Sequence, residues 1–103
     1  MIVESTHYWA RAGQLDAVLV QRRAATALRV RLGLPPGRIF RKLEGDGPDV
    51  RWECAFASRD EFDRDMAARS GSPEFAATRQ AMHALLERFE RHVQESVDWM
   101  STG

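Results

Sequence analysis

The sequence predicts an α+β domain built on an antiparallel sheet, and three observations carry that prediction. Asp49 to Ala57 (DVRWECAFA) alternates strictly, with Val50, Trp52, Cys54 and Phe56 on one face and Arg51, Glu53 and Ala55 on the other. Two longer stretches, one opening at Gln14 and one at Ser72, repeat apolar residues every three or four positions, the spacing of one helix face. Glycine, proline and capping serines fall between these runs rather than inside them.

Taken in order, Ile2 to Trp9 (IVESTHYW) is rich in β-branched and aromatic residues and reads as the first strand. Leu15, Val18, Leu19, Ala25 and Leu28 then predict a long helix to about Leu32, stopped by Gly33-Leu34-Pro35-Pro36-Gly37, where glycine supplies positive φ and proline cannot continue the hydrogen bonding. Arg38 to Glu44 and Asp49 to Ala57, joined by Gly45-Asp46-Gly47-Pro48, form a hairpin. Ser58 and Glu61 make a capping box that opens a short helix fading by Arg69. Ser72 as cap with Pro73 at the first helical position opens a longer one, whose stripe Phe75, Met82, Leu86, Phe89 and Val93 runs to about Gln94. Glu95 to Met100 is left as a short final strand. The order β-α-β-β-α-α-β is that of a ferredoxin-like plait spanning residues 1–103 as one domain, with helices on one face of the sheet and the other face needing a cover.

Composition narrows the function classes. Fifteen basic residues balance fifteen acidic ones, so bulk charge does not direct the chain to nucleic acid. No run of eighteen apolar residues and no basic leader occurs, which favours a cytoplasmic protein without a membrane partner. A lone cysteine, Cys54, and the absence of zinc-type Cys/His spacing argue against a metal or redox cofactor.

The opening strand, the hairpin strand VRWECAFAS, the Ser58-x-x-Glu61-Phe62 helix start and Ser72-Pro73-Glu74-Phe75 together resemble the dimeric α+β barrel superfamily across nearly the whole chain. The likeness is strongest to NIPSNAP-type domains, which are related to the antibiotic-biosynthesis-monooxygenase domains. That resemblance implies a homodimer joined through the sheet face and a pocket between sheet and helices. It also implies one of two functions. One is cofactor-independent oxidation or isomerisation of an aromatic or polyketide-like substrate; the other is a non-catalytic NIPSNAP-like binding or interaction role. Haem-degrading relatives combine a helix histidine with a first-strand asparagine and a tryptophan; His83 is in place, but the chain contains no asparagine.

Against this background the candidate site residues are few. His7, with an imidazole that titrates near neutrality, is the candidate catalytic base. Trp9 and Trp52 offer flat apolar surfaces for a planar ligand, and Phe56, Phe62 and His83 are expected to complete the lining. Arg22 and Arg29, seven apart, fall on the seam that Leu15, Val18 and Leu19 define as inward, where two guanidinium groups would hold an anion unless the rival face of Ala17, Val20 and Ala24 is the buried one. Trp99 is expected at the dimer interface, Cys54 as an inert core thiol, and Asp60 to Asp65 as a solvated helix face. Glu4 and Glu53 are either an acid/base couple or members of surface ion pairs.

Overall fold

The computed structural model describes residues 1–97. Seven elements follow the predicted order: β1 (Ile2–Ala10), α1 (Leu15–Arg31), β2 (Arg38–Arg41), β3 (Val50–Phe56), α2 (Arg59–Ser70), α3 (Pro73–His83) and β4 (Leu86–Glu95). The strands lie in the order β2-β3-β1-β4, every neighbouring pair antiparallel. Both helical connections therefore cross over a strand, and the helices cover one face of the sheet.

The capping predictions hold at atomic level. Ser58 Oγ accepts the Glu61 N–H at 3.2 Å while Glu61 accepts the Ala57 N–H, and Ser72 Oγ accepts the Phe75 N–H at 3.2 Å. Of the positive-φ glycines, Gly37 is the tightest: a Cβ there would stand 2.4 Å from Trp52 Nε1. Its loop closes over that indole, whose N–H donates to Pro36 O at 2.9 Å.

The C-terminal third corrects the sequence reading. The last helix ends at His83, and residues assigned to its final turns, Leu86 onward, form the long strand β4 beside β1. A bulge explains the error. Between Trp9 and Ala10 the register skips Glu87, so Leu86 and Phe89 both pack toward the core although they lie three residues apart. One extra residue in a strand thus imitates helical spacing. Of the predicted last strand, Glu95 closes β4, while 98–100, including Trp99, lie outside the described residues.

Alternation sorts the strands into two faces. Toward the helices point Glu4, Thr6 and Tyr8 of β1, Val50, Trp52, Cys54 and Phe56 of β3, and Phe89 and Arg91 of β4. Away from them point Ser5, His7 and Trp9, with Arg51 and Glu53 on β3 and Arg88, Glu90 and His92 on β4. The apolar core lies under α1 and α2 on the β3 side, where Val18, Trp52, Phe56 and Phe62 are buried.

Candidate functional site

On the β1–β4 side the helices stand off the sheet and leave a cavity of about 210 Å³. Thr6, Tyr8 and Glu4 form its floor, Arg22 and Ala25 of α1 one wall, and Met82 and His83 of α3 the other. An apolar cavity of about 150 Å³ accepts benzene, so this space suits one ring with a substituent.

Its polar side is a network of buried charges. Glu4 is fully buried and receives Arg69 through two hydrogen bonds, 3.1 and 2.9 Å, and Arg91 Nε at 2.8 Å. Burial pushes its carboxyl up, but the hydrogen bonds and charges of Arg69 and then Arg91 together outweigh that, and its pKa lies below the ordinary value. Arg69 also lies 2.9 Å from Asp65, and Asp65 is held by Arg29 at 2.7 Å, a pair with both side chains at 2% exposure or less. Asp65 is therefore a buried anchor, which corrects its assignment to a solvated face. The α2 helix turns it inward one turn after Phe62, the other buried residue of that helix.

Arg22 is the exception. It is 7% exposed and belongs to no ion pair among the described residues. One terminal nitrogen donates to the Tyr8 hydroxyl at 3.0 Å, the other reaches Thr26 Oγ1 at 3.5 Å, Nε has no partner, and the group lies 4.7 Å from the Trp52 ring centre. The Thr6 and Tyr8 hydroxyls are 2.7 Å apart, so one hydrogen bond between them leaves one hydroxyl hydrogen unspent. A buried cation without a carboxylate, beside a spare O–H, faces the cavity.

The structure separates the predicted site residues. Of the eight, Arg22 and His83 line the cavity, His83 exposed at the rim with its ring edge on Phe89. Arg29 does not line it: it is buried, neutralised by Asp65 and bonded to Pro35 O at 2.6 Å. Trp52, Phe56 and Phe62 are core residues, the two phenylalanines packed edge to face. His7 and Trp9 are on the opposite face of the sheet, because odd positions of β1 point away from the helices; neither lines the cavity. Glu4 and Glu53 are likewise split between faces, Glu53 pairing with Arg51. The first-helix ambiguity resolves in favour of the arginine seam: Arg22 and Arg29 are buried with Val18 and Leu19, while Val20 is 64% exposed. Leu15, at 37%, is the seam's frayed end. Cys54 is buried and free, and burial pushes its thiol up.

Residues that the sequence did not single out are Thr6, Arg69 and Arg91. The signal for Thr6 was available: on a strand, the positions alternate to those of His7 must face the other way.

Comparison with known proteins places this geometry. The fold is ferredoxin-like. A NIPSNAP family protein from Agrobacterium tumefaciens superposes with a TM-score of 0.70 at 22% identity, over 95% of this chain and 87% of the other. An antibiotic biosynthesis monooxygenase gives 0.71 at 13% identity, over 94% and 99%. A Bacteroides fragilis protein described as dimeric, ferredoxin-like and of unknown function gives 0.68 at 14%, over 92% and 95%. No family model and no curated protein matches the chain. Among the described residues no helix is long and apolar enough to cross a membrane.

Proposed function

We propose that the chain is a small-molecule-binding protein whose cavity takes a ring-sized aromatic or polyketide-like molecule carrying an oxyanion: a carboxylate, phenolate or enolate. The observation that carries this reading is the unpaired buried guanidinium of Arg22. A buried charge without a partner costs several kcal/mol, by order of magnitude, and a ligand anion would relieve that cost. Arg22 and the spare hydroxyl hydrogen of the Thr6–Tyr8 pair would donate to the same oxygen, the arrangement that stabilises an enolate as it forms.

If the protein turns its ligand over, the chemistry that fits is proton removal from carbon at the cavity rim by His83, with the charge collecting on the oxygen held by Arg22. Returning the proton to another carbon is an isomerisation. Reaction with dioxygen converts a methylene to a carbonyl, the second oxygen atom leaving as water with the two hydrogens. The alternative, a non-catalytic NIPSNAP-like binding domain, keeps the pocket without the turnover. It is favoured by the exposure of His83, which leaves the base outside the dry part of the cavity.

The likeness to a dimeric protein supports a homodimer formed through the open sheet face, where Trp9 and the 37% exposed Phe40 lie. Native mass spectrometry of the purified protein tests both proposals. The expected result is a dimer carrying a reproducible adduct that Arg22→Met abolishes. A monomer overturns the dimer, and an adduct indifferent to Arg22→Met overturns the anion site.

A further inference from the structure

We propose that the open face of the sheet carries a binding site for a late first-row divalent transition ion such as zinc, with His7, Glu90 and His92 as its protein ligands. The three side chains come together through strand pairing alone. His7 of β1 and Glu90 of β4 are register partners, and His92, two residues beyond Glu90, projects on the same side. One donor atom from each residue lies within 4.8 Å of the other two.

The geometry is close to that of a bound ion. Ligands about 2.1 Å from a tetrahedral centre stand about 3.4 Å from one another. His92 Nε2 is already 3.2 Å from Glu90 Oε1, and the His7 and His92 ring centres are 4.9 Å apart, so closing the set needs side-chain rotation and no backbone movement. The scaffold is a hydrogen-bonded strand pair, which holds its side chains more rigidly than a loop would.

The donor types select the ion. Two imidazoles with one carboxylate suit Zn²⁺, Co²⁺, Ni²⁺ or Cu²⁺ and are a poor match for Ca²⁺ or Mg²⁺, which take oxygen ligands. Three protein ligands leave a fourth position for water. In the single chain the side chains of His92 and Glu90 are 43% and 32% exposed, so an ion can reach the cluster before a second copy covers this face. The competitor is Arg88, which pairs with Glu90. It has a second seat, its guanidinium carbon lying 4.3 Å from the Trp9 ring centre, so it can release the carboxylate without losing all its contacts. Arg51, opposite His7, is already paired with Glu53.

The test is titration of the untagged, chelator-treated protein with Co²⁺, read by its visible absorption, followed by displacement with Zn²⁺. One ion per chain is expected, with His7→Ala and His92→Ala each weakening binding at least about tenfold and His83→Ala leaving it unchanged. No saturable binding by about 1 mM Zn²⁺, or binding that survives His7→Ala and His92→Ala together, overturns the proposal. Circular dichroism checks folding; if His7→Ala fails it, the exposed His92→Ala carries the test alone. Because the proposed homodimer uses the same face, the titration is repeated across protein concentrations with native mass spectrometry reading the ion count on monomer and dimer; absence of the ion from both overturns the proposal.

Discussion

The two faces of one sheet share their backbone and differ in almost everything else. On the helix face, Glu4 and Asp65 are buried in a network with Arg29, Arg69 and Arg91, and each carboxylate is held by two guanidinium groups. On the open face, Arg51–Glu53 and Arg88–Glu90 are side-by-side pairs within single strands, each side chain at least 32% exposed. The same residue types therefore perform different work. Inside, charge pairs fix how the helices sit on the sheet, since Asp65 and Arg69 come from α2, Arg29 from α1 and Glu4 from β1. Outside, the pairs tie no elements together and lie beside the His7, Glu90 and His92 cluster that the strand register assembles.

The largest effect expected from this difference is on stability. Asp65→Ala removes the partner of Arg29, whose side chain is 1% exposed, and should cost about 3–5 kcal/mol in urea unfolding. Glu53→Ala leaves Arg51 in water and should cost about 1 kcal/mol or less. Equal losses for the two variants would break the distinction between the faces. A Glu53→Ala loss that grows with protein concentration would instead show that the open face is covered by a second copy.

Much of this organisation was legible in the sequence, and the failures have physical causes. Caps, turns, β-branched composition and apolar periodicity are local signals, and they located six of the seven elements. β4 was hidden because its bulge sets Leu86 and Phe89 three apart, continuing the periodicity of α3 across its end. The site suffered from a different fault. Assigning His7 and Trp52 to one pocket ignores register, because Trp52 opposes Thr6 and not His7 in the β1–β3 ladder. Paired residues share a face, so Thr6 and Tyr8 are the β1 residues that belong with Val50 and Trp52. The seven-residue spacing of Arg22 and Arg29 found the charged seam, but only tertiary structure shows that Asp65 neutralises one and leaves the other without a carboxylate.

A second, intermediate effect sharpens the account of the helix face. Burial alone would raise the Glu4 carboxyl, but Arg69 and Arg91 hold its pKa below the ordinary value in the folded protein, and Arg69 is shared with the Asp65 carboxylate. The folded state thus binds fewer protons than the unfolded one in acid. The stabilisation is complete above the unfolded value and is lost as pH falls below it toward the depressed one. Urea midpoints measured from pH 6 downward should drop across this window, and Glu4→Gln should flatten that part of the curve. An unchanged slope in the variant would mean that other carboxylates govern acid unfolding.

The smallest stability effect is expected where the sequence first suggested a site. Arg22 has no carboxylate to lose, and its contacts are the Tyr8 hydroxyl, a long bond to Thr26 and the face of Trp52. Methionine can keep the packing against the indole while removing the charge and the unpartnered Nε. Arg22→Met should therefore leave the unfolding free energy unchanged or raise it, by about 1 kcal/mol. The same variant should lose preference for benzoate over benzamide in ligand-detected NMR. This separates the two buried arginines seven residues apart on one seam: Arg29 holds the fold, and Arg22 is held by the fold against its own cost, as a group kept for a ligand would be. A loss of several kcal/mol on Arg22→Met, matching Asp65→Ala, would make Arg22 a second structural anchor and remove the ground for an anion in the cavity.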